Sequence, residues 1–465
     1  MIALSLTELA TMLDGSLDAG AEGNHIVSGP VVVDSRLARE GSLFFALRGE
    51  KTDGHLFATA AVEGGAVAII AERALDVDVP VIVVKDTLVA LAALARDVVA
   101  RVRALGHLRV IAMTGSNGKT TTKNMVRAIL EPEGRVVAPQ GSFNNQVGAP
   151  LSMLGVDEGT AFLVVEMGAS APGEIAHLVS IVVPDVAIVL KVGLAHAGGF
   201  GSIQQTQKAK SEIVVSLPES AVAVFNADDE LVVEMAPLTA ASPVFFGLSD
   251  SADFRASDIA VSVAGTRFQL DALGKQYPVQ LSILGEHNVM NAIAAIAATA
   301  QFGVDPADAV SRLEAMVRAE RWRMEVLEAP NGAVIVNDSY NASPDSMVAA
   351  LKTLAEITRG THRSIAVLGE MAELGEVADE EHDRIGRLVV RLNVAKLIVV
   401  GHAARHIHNA AGLEGSWDGE SVLVDSADEA YDLLHNELQR GDVVLVKSSN
   451  SAGLRLLGER LAGIL

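Results

Sequence analysis

A multi-domain α/β protein is the fold class this sequence predicts, and three observations carry that reading. Short runs rich in Val, Ile and Leu alternate with helical patterns; a Gly-Ser-Asn-Gly-Lys-Thr loop separates one such run from a helical pattern; and the alternation restarts beyond Arg323. At 465 residues the chain exceeds what one hydrophobic core usually serves, which favours two or three domains with clefts between them.

Residues 1–85 contain the β-rich runs Val31-Val-Val33, Leu43-Phe-Phe45 and Val81-Ile-Val-Val84, separated by Gly, Asp and helical stretches, and read as a small α/β domain. Over residues 86–106, Leu88, Leu91, Leu94, Val98, Val102 and Leu105 recur at three- and four-residue spacing, which predicts a connecting helix. Residues 107–322 open with the apolar run Arg109-Val-Ile-Ala-Met113, the loop Thr114 to Thr120 and the helical pattern Met125, Ile129, Leu130. Strand, glycine loop, helix is the order a phosphate-binding unit requires. The runs Phe162-Leu-Val-Val165, Val186-Ala-Ile-Val-Leu190 and Val222-Ala-Val-Phe225 then predict a mainly parallel sheet covered by helices, and Asn291 to Gln301 reads as an Ala-rich helix. In residues 323–465 five further runs, at Ala333–Val336, Ile365–Leu368, Leu397–Val400, Val422–Val424 and Val443–Val446, each lie beside a helical segment, predicting a Rossmann-like C-terminal domain.

Composition removes several classes of function. The chain has no cysteine, which excludes disulfides, thiolate nucleophiles and Cys-based metal sites. A formal net charge of −22 argues against sequence-independent nucleic-acid binding, which needs Lys and Arg to displace counterions; any phosphate site must be local. The first residues, Met1-Ile-Ala-Leu-Ser-Leu-Thr-Glu8, lack the basic start of a secretory signal, and no apolar run approaches the roughly 20 residues that span a bilayer. A soluble cytoplasmic protein without membrane insertion is the expectation.

In the phosphate loop, Gly115 and Gly118 let backbone approach an anion, flanked by Ser116 and Asn117, while the helix beginning near Lys119 directs its N–H groups and positive dipole end at it. Lys119 adds a charge, Thr120 a hydroxyl for magnesium, and Thr121 follows. Met113 stands where the standard G-x-x-x-x-G-K-[ST] pattern has its first Gly. Glu166 ends a predicted strand at the edge where ligands of open α/β sheets gather, and His196 lies a few residues past the run ending at Leu190, in reach of the same edge as a metal ligand. Taken singly, each is as readily a loop or capping side chain. Lys210, by spacing alone, reads as a solvated helix lysine. Asn291 can pair with a base or ribose or simply cap its helix, and Asn337 to Ser346 is a polar strand-to-helix turn with Pro344 in the first helical turn.

Taken together these segments resemble the Mur ligases over nearly the whole chain. The resemblance rests on Asp34-Ser-Arg36, Gly41-Ser-Leu-Phe44, Asp53-Gly-His55, Thr114 to Thr121, Asn144-Asn145, Glu166-Met-Gly168, Ala195-His196, Ala209-Lys-Ser-Glu-Ile213 and His287-Asn-Val-Met-Asn291. Two longer segments, Asn337 to Met347 and Val367 to Gly375 with His382, point to the branch that attaches D-alanyl-D-alanine to UDP-N-acetylmuramoyl-tripeptide in cytoplasmic peptidoglycan synthesis, and away from single-residue and folate ligases.

The resemblance implies a three-domain architecture with a central P-loop ATPase sheet and a Rossmann-like C-terminal domain, with ATP and Mg2+ as cofactors; a monomer is the default expectation. It implies Lys119, Glu166, His196 and Lys210 as catalytic residues, with Thr120, Glu166, His196 and Lys210 around the metal. It places Ser35 and Arg36 at the UDP-sugar end with Asn144 and Asn145 nearby, and Asn291, Arg323 and Asp338 toward adenine and ribose. It also matches Lys210 to the lysine that relatives carry as an N-carbamate, with Lys208 as the competitor. Departures from the family pattern are Lys191 where many relatives have Asn, Trp322 where Gly is common, and Lys447-Ser-Ser-Asn450. A nucleotide-binding scaffold without turnover is the reading from another class; so many charged groups on one edge weigh against it.

Overall fold

Three large β-sheets, built in sequence order, and a two-stranded pair of Leu4–Ser5 with Ile26–Val27 organise the described residues. The computed structural model describes residues 1–18, 22–49, 52–139, 141–193, 202–415 and 417–465. The first sheet runs Ser16–Leu17, Val81–Val83, Ala66–Ala71, Ser42–Phe45, Val31–Val32 across its width, parallel except for the first pair. Its strand Ala66–Ala71 was not anticipated: a short apolar run of small residues carries no period that separates strand from buried helix.

Asp86 accepts hydrogen bonds from the backbone N–H groups of Leu88 and Val89 and starts the helix Thr87–Arg103. Leu91, Leu94, Val98 and Val102 are buried on it, whereas Leu105 falls beyond its end and is exposed. The helix is more than a connector. One apolar cluster runs from Leu4, Phe45 and Ile82 through Leu91, Leu94 and Val98 to Val110, Leu163 and Ile175, so the first two sheets share a core.

The second sheet has the order Lys275–Leu281, Gly265–Ala272, Phe254–Ser262, Ser242–Gly247, Val222–Asn226, Val186–Val189, Arg109–Thr114, Phe162–Glu166, Val136–Val137. The expectation of a mainly parallel sheet holds for its inner part. It needs correcting at one end, where Phe254 to Leu281 forms an antiparallel meander. Alternating buried and solvated residues there mark a sheet covered on one face only. The Ala-rich helix begins earlier than the Asn291 to Gln301 pattern predicts: it spans Glu286–Ala300, so Asn288 and Asn291 lie inside it and Gly285 caps it.

The third sheet runs Glu325–Glu328, Val334–Asn337, Asp442–Lys447, Arg363–Leu368, Lys396–Val400, Glu420–Val424, parallel apart from its first pair. Separate apolar clusters cover its two faces, one holding Met347, Ile385 and Ile407, the other Ala430, Leu434 and Leu457. That is the doubly wound arrangement expected of a Rossmann-like unit. No helix among the described residues is long and apolar enough to cross a membrane.

Candidate active site

Arg109–Thr114 lies between Phe162–Glu166 and Val186–Val189, and the chain leaves it toward one side before returning on the other. Such a reversal opens a crevice at the C-terminal ends of the strands. Register sets what faces the crevice: Glu166 pairs with Met113 and Val189 with Thr114, so the acid ends level with the start of the phosphate loop. The buried Met113 remains strand, which leaves only Gly115 to Gly118 to make the turn. Gly118 caps the helix Lys119–Leu130 at φ +88, a left-handed conformation that favours glycine, and a Cβ there would lie 2.3 Å from Asn291 Oδ1.

The segment after Val189 buttresses the loop. Ser116 N–H donates to Lys191 O at 2.8 Å, and Ser116 Oγ exchanges hydrogen bonds with Gly193 O (3.0 Å) and Gly193 N–H (2.8 Å). Lys191 therefore buttresses the loop through its carbonyl, and the residue itself is exposed. His196 lies outside the described residues.

Thr120 Oγ1 donates to Glu166 Oε2 at 3.1 Å and meets Ser142 Oγ at 2.7 Å. Glu166 is fully buried, and its Oε1 has no hydrogen-bond partner. Lys119 Nζ donates to Gly115 O at 2.6 Å. Burial holds the Lys119 ammonium below the usual lysine range; Glu166 pulls it back up and Arg323 pushes it down. Lys210, on the helix Ile203–Val215, is buried rather than solvated, and burial with the nearby Lys119 charge pushes its amine down to about 7. Lys208 is exposed. Among the described residues, Lys119, Lys210 and Arg323 bring positive charge to the crevice beside Glu166, an environment suited to an anion.

The third sheet contributes from across the crevice. Arg323 Nη2 donates to Ser142 Oγ at 3.1 Å and Thr120 Oγ1 at 3.4 Å, which puts its guanidinium at the phosphate loop rather than remote from it. Its carbon sits 4.2 Å from the Tyr340 ring centroid, and Arg455 lies 4.6 Å from the same ring. Trp322 adopts φ +59, strained for a non-glycine residue and the reason Gly suits this position. It is held by Nε1–H donating to Glu459 (3.0 Å) and by flanking Arg321 and Arg455.

In the Asn337 to Ser346 segment, Asp338 pairs with buried Lys447 at 2.6 Å and accepts from Met324 N–H at 3.1 Å. Ser343 Oγ donates to Asn117 Oδ1 at 3.2 Å, and Asp345 stands so close that a Cβ at Gly193 would meet its Oδ2 at 2.2 Å. These contacts bring the C-terminal turn onto the phosphate loop. Asn291 is occupied structurally, donating to Asn288 Oδ1 (3.0 Å) and accepting from Thr122 (3.3 Å). Beside it, burial pushes the His287 imidazole down to about 4, with Asp338 opposing and Lys447 adding to the shift. His382 braces the segment before it, its Nε2 accepting from Met371 N–H at 2.9 Å.

The other predicted residues occupy the first sheet and the turn after Gly141. Arg36 is exposed, and Asp34 both binds its guanidinium at 2.6 Å and caps the turn containing Ser35. Asn144 packs against Gly168, where a Cβ would lie 2.9 Å from it, and Asn145 Oδ1 accepts from Val147 and Gly148 N–H groups, starting the next helix. Sequence reasoning missed Lys123, Ser142 and Tyr340. Lys123 carried a readable signal: it follows Lys119 by four, the spacing of one helical face.

Comparisons with known proteins agree along the chain. Residues 30–108 match the model "Mur ligase family, catalytic domain", residues 113–299 the Mur ligase middle domain, and residues 322–450 the Mur ligase glutamate ligase domain. The chain is 41% identical to the UDP-N-acetylmuramoyl-tripeptide--D-alanyl-D-alanine ligase of Mycobacterium tuberculosis, with 99% of this chain and 98% of that protein covered. It is similar to a crystal structure of MurF from Acinetobacter baumannii, at TM-score 0.89 and 30% identity over 100% and 99% of the two chains. The ADP complex of MurF ligase from Thermotoga maritima gives TM-score 0.79 and 31% identity over 94% and 98%. The chain belongs to the Mur ligase family.

Proposed function

We propose that this chain joins D-alanyl-D-alanine to UDP-N-acetylmuramoyl-tripeptide at the expense of ATP, a cytoplasmic step of peptidoglycan synthesis. The observation that carries the reading is the gathering of Lys119, with Lys210 and Arg323 near it, at the phosphate loop beside the buried carboxylate Glu166, in a chain similar over its full length to ligases of that name.

The terminal carboxylate of the tripeptide attacks the γ-phosphorus of ATP; an oxygen–phosphorus bond forms, the bond to the β-phosphate oxygen breaks, and ADP leaves. Two anions must meet, so Lys119 and Arg323 serve as fixed positive charge for the transferring group. The dipeptide amine then attacks the acyl phosphate, forming the amide and expelling phosphate. The C-terminal turn lying on the phosphate loop supports exclusion of water from that intermediate.

Magnesium fits the residues present: Thr120 Oγ1 and the buried Glu166 carboxylate are hard oxygen donors, and no cluster of three or more His, Asp or Glu among the described residues would form a full protein cage. When bound it supplies charge neutralisation on the phosphates. His196 completes the proposed ligand set. In the first sheet, Ser35 and Arg36 with Asn144 and Asn145 are the proposed contacts to the UDP-sugar.

Lys210 is the proposed carbamate. An amine lowered to about 7 has a substantial neutral fraction near pH 7, the form that adds carbon dioxide, and the product anion suits this crevice with its cationic neighbours. With 13C-bicarbonate, the wild-type protein should give a carbamate carbon signal that Lys210→Ala lacks; the same signal in both would remove Lys210 from this role.

The deciding assay is phosphate release from Mg-ATP and UDP-muramoyl-tripeptide with D-alanyl-D-alanine, with D-alanine alone, or with no amine. Release that requires the dipeptide is expected. Release with D-alanine instead would point to a sister ligase, and none with any acceptor to a nucleotide-binding protein.

A further inference from the structure

Lys123 and Glu166 form an ion pair with both side chains fully buried, Nζ to Oε1 at 3.2 Å. Its neighbours on the same helix, Met125, Val126, Ile129 and Leu130, are the apolar residues a core position ordinarily takes. Desolvating two charges costs as much as their attraction returns, and an apolar pair of similar volume is often equally stable. Stability therefore does not account for this lysine; what it touches does. Nζ also donates to Gly141 O at 2.7 Å. That carbonyl begins the turn whose Ser142 binds Thr120 and Arg323, and whose Asn144 O accepts from Gly168 N–H at 2.8 Å. The helix thus holds both carboxylate oxygens, Thr120 on Oε2 and Lys123 beside Oε1.

We propose that Lys123 is a positioning residue for phosphoryl transfer, tying the Glu166 carboxylate and the Gly141 to Asn145 turn to the phosphate-loop helix so that Glu166 Oε1 faces the metal. The catalytic part of this rests on the ligase reading above. The pairing itself does not.

The test compares Lys123→Met, Glu166→Gln and the double variant in three measurements. Without nucleotide and in EDTA, each single variant should melt lower than wild type by about 5 °C or more, because one buried charge loses its partner, and the double variant should recover most of that loss. The gain in ADP affinity on adding Mg2+ should fall about tenfold in Lys123→Met, as it does in Glu166→Gln, while affinity without Mg2+ changes less than about threefold. In turnover, kcat should drop roughly 10²-fold with KM for ATP within about threefold, and Lys123→Met should add little in the Glu166→Gln background. Lys123→Gln keeps a donor for Gly141 O without the charge and serves in the same comparisons if the Met variant does not fold. Additive melting losses, or an unchanged Mg2+ gain, overturn the proposal. If wild type releases no phosphate with the dipeptide, the ligase reading fails while melting and ADP binding still decide the role of Lys123.

Discussion

Glu166→Gln should lower kcat for dipeptide-dependent phosphate release by about 10³-fold while ADP still binds in the absence of Mg2+. The substitution keeps the volume and one oxygen, so the effect is one of charge and donor pattern. Glu166 is the sole carboxylate among the groups gathered on Thr120, Lys119, Lys123 and Arg323, and its Oε1 has no hydrogen bond to lose. A neutral amide there removes the negative oxygen that would hold the metal and leaves Lys123 buried without its counter-charge. Excess Mg2+ should restore little of the loss, since the defect lies in a ligand rather than in metal supply. Turnover within tenfold of wild type would show that Glu166 is structural. The check is kcat across a Mg2+ titration, with ADP affinity measured separately.

Lys119→Met should cost turnover roughly 10³-fold, yet without nucleotide the variant should melt no lower than wild type. These two outcomes have one cause. Lys119 is held on Gly115 O in a site where burial and Arg323 both disfavour its charge and Glu166 opposes them. A charge kept against those terms is useful when an anion arrives and unfavourable until then. The same reasoning predicts that ADP stabilises wild type more than the variant. Thermal melting with and without ADP, beside the dipeptide-dependent assay, checks both halves; a variant that melts well below wild type would mean that the lysine supports the loop rather than the phosphates.

Several departures from the family pattern become intelligible at the level of backbone. Lys191 lies exposed because its position is used through a carbonyl that receives Ser116 N–H. Trp322 occupies a left-handed position at a cost of roughly 1–3 kcal/mol, offset by Glu459 and the two flanking arginines. Lys447 holds Asp338, with Ser448 and Ser449 buried behind it. At Lys191 the contact is made by the carbonyl rather than the side chain, and at Trp322 the backbone strain is offset by residues far along the chain.

What the sequence determined by itself was local and periodic. Strand, Gly-Lys-Thr loop and helix were legible because phosphate binding needs close backbone approach followed by a helix N-terminus, and both are written within a dozen consecutive residues. The third sheet was legible because most of its parallel strands are buried along nearly their whole length and read as unbroken apolar runs. Only the tertiary structure decided the rest. Ala66–Ala71 and the meander from Phe254 have no period that separates them from other readings, and the shared core around the helix Thr87–Arg103 depends on what packs against it. Lys210 looks like any surface helix lysine until the strand Arg109–Thr114 and Lys119 are placed beside it, and Lys123 until Glu166 arrives from a strand 43 positions later. Burial and charge pairing are properties of neighbours distant in sequence, so the chemistry of these two amines appears only when the chain has folded.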